Sequence, residues 1–135
     1  MVKFLTEDWI LDYKDVLNAS EAYAEAAKDW EGDFFFIVTD APDGKTHTYY
    51  IDLWHGKARD AYLVTDDKKP EKDPEYHYKG SYENWIEVVE GRLDPIKGLM
   101  VRKFHLKGNM AKVLKATKAA KELVACAAKV PTEFE

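Results

Sequence analysis

The segment Gly91-Arg-Leu-Asp-Pro-Ile-Lys-Gly-Leu-Met-Val-Arg-Lys-Phe-His-Leu-Lys-Gly-Asn-Met-Ala-Lys-Val-Leu114 sets three element boundaries within one short span, and so limits what the rest of the chain can pack against. Gly91 is suited to end a helix and Asp94 to cap the next. Pro95 fits the first helical position, where a missing backbone N–H removes no hydrogen bond. A short helix and then a strand are predicted. From Arg102 to Lys107 the residues alternate, with Phe104 and Leu106 on one face and Lys103, His105 and Lys107 on the other, the pattern of a strand with one buried face. Gly108 permits a sharp turn, and Asn109 caps one long final helix ended by Pro131. That helix is predicted to turn Met110, Val113, Leu114, Thr117, Val124 and Ala127 inward and Lys112, Lys115, Lys118 and Lys121 outward.

Upstream, Thr6 is placed to cap a helix through about Leu17, with Trp9, Tyr13, Val16 and Leu17 at helical spacing. Asn18 with Glu21 makes a capping-box-like start for a second helix from Ala19 to Trp30. Phe34–Asp40 is apolar on both faces, as a central strand must be. A turn over Asp40–Gly44 leads to an alternating strand from His47 to Leu53, and the two residues His55-Gly56 turn the chain into a third strand, Lys57–Thr65. The meander is antiparallel. Asp66–Pro74 has no apolar anchor and reads as a solvated loop, after which Tyr76 and Tyr78 mark a short fourth strand and Ser81 starts a helix. Two helices, four strands, two helices, one strand and one helix predict an α+β domain spanning residues 1–135, with helices on one face of a five-stranded, mainly antiparallel sheet.

A chain of 135 residues with 46% hydrophobic and 33% charged residues suits one such domain. No apolar run reaches the roughly 18 residues needed to cross a bilayer, and Met1-Val-Lys-Phe-Leu-Thr-Glu-Asp runs into acids. The lone Cys126 excludes an internal disulfide and a cysteine metal cluster, which fits the cytoplasm, and core filling is its expected role. His47, His55, His77 and His105 fall on separate elements without metal-ligand spacing. Ser20 and Ser81 are helix starters and Asp66-Asp67 lies in a solvated loop, so neither a nucleophile nor a raised-pKa acid is indicated. No cofactor, metal or catalytic residue is expected. The net charge of −5 conceals an asymmetry: −11 up to Gly91 and +6 from Arg92 onward. A basic segment of this kind either solvates a helix face or attracts the phosphates of a lipid surface or of coenzyme A. Nucleic acid is not expected, because the aromatics lie mostly in the acidic half.

The Leu93-Asp94-Pro95 turn, Met100, Lys103, Lys107-Gly108 and Met110 resemble the sterol carrier protein 2 family, in which Gly-x-Leu-Asp-Pro is followed by Met-x-Gly-Lys and a Leu-Lys-Ile-Lys-Gly-Asp-Met-like strand and turn. Asn109 stands for the usual Asp, and Arg102 stands where the family usually has Gly. The likeness extends over roughly Glu31 to Leu114 and takes in the Phe36-x-Val38-x-Asp40 and Ile51-Asp52-Leu53 strands and the Gly56 turn. It implies a non-enzymatic domain that binds or transfers a fatty acid, acyl-CoA or sterol-like molecule in an apolar tunnel of about 300–1,000 Å³ between helices and sheet. Trp85, Ile86, Val89, Leu99, Met100, Phe104, Leu106, Met110, Val113 and Leu114 converge around the Gly91–Leu114 segment. Spacing alone assigns these ten to the core, and the resemblance implies that they line the tunnel. Transient contact with an anionic membrane is expected of the basic third. The ending Pro131-Thr-Glu-Phe-Glu lacks the small-basic-Leu peroxisomal address, which again points to the cytoplasm. The alternative is a scaffold that forms a homodimer or docks an enzyme, with no lipid bound.

Overall fold

The computed structural model describes residues 1–135. A five-stranded sheet runs in the order β4-β3-β2-β5-β6, built from β2 (Glu31–Thr39), β3 (His47–Trp54), β4 (Lys57–Leu63), β5 (Tyr76–Ser81) and β6 (Phe104–Lys107). β2 is central, as its two apolar faces require. It pairs antiparallel with β3 and parallel with β5, and the β3–β4 and β5–β6 pairings are antiparallel. The sheet is therefore mixed but mainly antiparallel, and the architecture is the α+β arrangement expected. A second, two-stranded parallel sheet joins β1 (Val2–Lys3) to β7 (Thr132–Glu133). No pattern in so short a pair of strands announces it.

α1 (Glu7–Ala19) runs through Asn18 instead of stopping before it. The amide of Asn18 is used across the molecule: its Nδ2 donates to the Ala58 carbonyl at 2.9 Å and its Oδ1 accepts from the Ala58 N–H at 2.8 Å. Ser20 therefore becomes the cap of α2 (Glu21–Ala26), its hydroxyl accepting from the Tyr23 N–H. α2 is six residues long, well short of the predicted Ala19–Trp30. Its Ala24 carbonyl lies 2.6 Å from where a Cβ of Gly56 would stand, so the β3–β4 turn requires glycine for this approach as well as for its φ of +76°. Thr6 precedes α1, but its hydroxyl donates to the Lys3 carbonyl and caps nothing.

α3 (Tyr82–Val89) and α4 (Pro95–Met100) follow their predicted caps, with Ser81 accepting from the Asn84 N–H and Asp94 from those of Ile96 and Lys97. Both end in the same way. After α3, the Gly91 N–H donates to the Val88 carbonyl and that of Arg92 to the Glu87 carbonyl; after α4, Arg102 bonds Leu99 and Lys103 bonds Gly98 in the same pattern. This is a Schellman ending, which sets the residue after the cap at positive φ. Gly91 adopts 78° and Arg102 adopts 63°. The geometry explains why glycine is suited to position 102 and shows that arginine occupies it with backbone strain.

The predicted final helix is two helices, α5 (Met110–Lys115) and α6 (Thr117–Ala128), separated at Ala116 with φ −90° and ψ 44°. No Gly or Pro marks the break, and the helical period continues through it, so periodicity alone does not reveal it. The core between helices and sheet is rich in aromatics, among them Trp9, Tyr49, Tyr78, Trp85 and Phe104, and includes the buried Cys126.

Candidate functional site

Twenty-one residues from α1, α2, the sheet and α3–α6 enclose a cavity of about 80 Å³, and none of them is charged. On the sheet side stand Trp30, Phe34, Phe36, Tyr78 and Trp85; opposite lie Val113, Ala116, Ala120, Val124 and Ala127. The three indoles of the wall and its Tyr13 and Tyr78 hydroxyls are bound within the fold itself. The Trp85 indole donates to the Ile37 carbonyl at 2.9 Å, the Tyr78 hydroxyl to the Pro95 carbonyl at 2.7 Å, and the Tyr13 hydroxyl to the Leu123 carbonyl at 2.8 Å. The Trp9 indole donates to Thr132 Oγ1 and that of Trp30 to the Gly32 carbonyl. Burial raises the pKa of the Tyr13, Tyr23 and Tyr78 phenols well above the usual range, so they remain neutral. Charge is excluded from the wall at any physiological pH. Such a wall suits apolar matter.

The structure brings Trp85, Val89, Leu99 and Val113 to this cavity and leaves the other six predicted residues outside its wall. Phe104 is buried behind the wall, stacked on Tyr78 with ring centroids 4.5 Å apart, and Ile86 and Leu106 are half-buried against the core. Met100, Met110 and Leu114 are 74%, 40% and 41% exposed. The physical reason lies in the setting of α5. Lys112, predicted to point outward, instead places its ammonium 4.7 Å from the centre of the Trp30 ring, donates to the Glu31 carbonyl and pairs with Glu75 at 3.5 Å. This contact turns the Lys112–Val113 side of α5 inward and Met110 and Leu114 outward. Met100 is the last residue of a helix less than two turns long, and its neighbour Leu99 takes the inward place.

Sequence reasoning missed Trp9, Tyr13, Tyr23, Trp30, Phe34 and Phe36 as wall residues. The usable signals were the alternation of Phe34 and Phe36 and the stripe of small residues along α6, both of which read equally as ordinary core. The cavity is also narrower than the expected tunnel, about 80 Å³ against roughly 300–1,000 Å³ for a typical ligand pocket.

Elsewhere, His47, His55 and His77 each meet one carboxylate, Asp43 at 2.8 Å, Glu31 at 2.6 Å and Asp73 at 2.9 Å, and no three His, Cys, Asp or Glu side chains are placed to hold one metal ion. No helix is long and apolar enough to cross a membrane.

Comparison with known proteins agrees with the architecture. The model of the SCP-2 sterol transfer family matches residues 13–121. The crystal structure of sterol carrier protein 2 is 36% identical, covering 94% of this chain and 98% of that one with a TM-score of 0.81. The solution structure of a conserved hypothetical protein from Thermus thermophilus is 35% identical, covering 98% and 93%, with a TM-score of 0.85. The apo form of sterol carrier protein 2 from Yarrowia lipolytica is 25% identical over 93% of this chain and 98% of its own, with a TM-score of 0.58. No curated protein sequence matches. With the family model matched from Tyr13 to Lys121 and a solved relative more than one third identical along nearly the whole length, the chain belongs to the SCP-2 sterol transfer family.

Proposed function

We propose that the protein binds and transfers a lipid, a fatty acid, acyl-CoA or sterol-like molecule, by enclosing its apolar part in the cavity between sheet and helices, without chemical conversion. The observation that carries this reading is the uncharged wall whose indoles and whose Tyr13 and Tyr78 phenols are already spent on the fold, so that dispersion and the hydrophobic effect are most of what it has to give. Membership of a sterol transfer family and likeness to sterol carrier protein structures support it. A cavity of about 80 Å³ has room for only a few methylene groups. Uptake of a whole chain therefore requires the wall to part. The α5–α6 side is the one to yield, since α5 has no buried residue and the α6 part of the wall is rich in alanine. A head group would remain outside, where Lys residues of the basic third are available.

The small volume also favours a second reading, a scaffold domain that dimerises or docks an enzyme while its interior stays filled by its own side chains. Native mass spectrometry of gently purified protein separates the two. A co-purifying apolar mass on the monomer is expected; an empty dimer or a protein complex, with no uptake of a fluorescent fatty acid, would favour the scaffold.

A further inference from the structure

From Pro95 to Lys121 the chain contains no Asp or Glu, although acids are frequent elsewhere. Of the cations in this stretch, Lys103, Lys107 and Lys112 are engaged with Glu87, Asp73 and Glu75. Lys97, Arg102, Lys115, Lys118 and Lys121 form no ion pair. The same stretch holds Met100, Val101, Met110 and Leu114, four of the seven large hydrophobic residues that the fold leaves exposed. Of the other three, Met1 begins the sequence, Trp54 is covered by the Arg59 guanidinium, 4.4 Å from its ring centre, and Leu11 lies on α1 among Asp8, Asp12, Lys14 and Asp15. Exposed apolar side chains and unpaired cations thus coincide along this acid-free stretch.

That region borders the cavity. Exposed Met100 follows Leu99 in the chain, exposed Leu114 follows Val113, and Leu99 and Val113 both belong to the wall. Met110 and Leu114, four residues apart, share one side of α5. We propose that this α4–α5 surface is where the protein docks on an anionic lipid bilayer, with Met100, Val101, Met110 and Leu114 entering the acyl boundary and the unpaired cations meeting the phosphates. The proposal rests on the lipid-binding reading, for which it supplies the membrane partner. Charge complementarity selects the occupant. A surface of free lysines around flexible thioethers and aliphatic side chains matches an apolar layer beneath a sheet of negative charge. Docking there would bring α5, the least anchored part of the wall, into the interface.

Flotation with vesicles of phosphatidylcholine, pure or with roughly 30% phosphatidylglycerol, tests this. The protein should float with the anionic vesicles at low salt and detach near 0.5 M salt, where the Debye length shrinks to roughly 4 Å. The pairs Met100→Ser/Leu114→Ser and Lys115→Gln/Lys118→Gln should each lower partitioning roughly tenfold. Leu11→Ser should leave it unchanged. Full binding by both double variants, loss of binding with Leu11→Ser, or equal and salt-insensitive binding to neutral vesicles would overturn the assignment. An environment-sensitive dye on Met100→Cys, with the buried Cys126 unreactive, should shift its emission to the blue on anionic vesicles; an unshifted emission on bound protein also overturns it. Fatty-acid uptake without vesicles is read in parallel. Docking without uptake would sustain this proposal and sink the cavity reading, and uptake without docking would do the reverse.

Discussion

On the sheet side of the cavity, Tyr78 stacks on Phe104 at 4.5 Å and Trp85 meets Phe104 edge-on at 5.1 Å, while across from them Ala116, Ala119, Ala120 and Ala127 present little more than methyl groups. The aromatic side is fastened by strand ladders and by the indole and phenol bonds to Ile37 and Pro95. The helix side is fastened unevenly: α6 has five buried residues and receives the Tyr13 hydrogen bond at Leu123, whereas α5 has none buried and depends on Lys112 and its Asn109 cap. A wall built in this way has a shape-giving half and a yielding half. Large interlocked rings resist displacement because any shift opens gaps around many atoms, whereas α5, a short helix with no buried residue, can move at little cost in dispersion energy.

The sharpest way to break the contrast is to empty the rigid side. Phe104→Ala, at a position 1% exposed, should destabilise the protein by about 3–5 kcal/mol in urea unfolding. A loss no larger than that of an alanine-side change would mean that the two halves are equally compliant. Ala120→Leu adds three carbons to the yielding side, roughly the volume of the cavity, and should alter stability by less than about 1 kcal/mol while lowering fatty-acid uptake at least about tenfold. A penalty of about 1–3 kcal/mol would show that this side is packed as firmly as the other. Lys112→Met keeps an apolar stem on Trp30 but removes the ammonium. Because the side chain is about a third exposed, global stability should fall by less than about 1 kcal/mol. Amide exchange across Lys112–Ala116 should accelerate roughly fivefold with β2 and β5 unaffected. The smallest effect is expected at Arg102→Gly, which relieves a positive φ and should raise stability by about 0.5 kcal/mol, read as a small rise in melting temperature.

What could be read from residue order was mostly what local chemistry enforces. Asp94-Pro95 and Ser81 could be placed because a cap satisfies its own helix, and β2 because a strand apolar on both faces has to be central. Asn18 could not be placed, since its amide is satisfied by Ala58, forty residues away along the chain. The facing of α5 escaped for a related reason. Six residues make fewer than two turns, so the apolar period says which side chains are neighbours without saying which side meets the protein, and a cation–π contact from Lys112 decided it. Of the four anticipated residues that lie in the wall, Trp85, Val89 and Leu99 sit on elements started by their own caps, whereas Val113 is there because Lys112 turns α5. Met100, Met110 and Leu114 were drawn inward only by their hydrophobicity, which is a weak guide where a surface has its own use for apolar side chains.

The amide of Asn18 has a further consequence, for behaviour in crowded solution. β4 is an outer strand of the sheet, and at Ala58 its outward N–H and C=O are both occupied by that one side chain, while the Leu63 N–H is met by the Glu7 carboxylate. A strand edge stoppered at these points is a poorer template on which a second polypeptide can zip. Asn18→Ala would uncork it, and the damage would grow with protein concentration, appearing as slow, fibril-like precipitation.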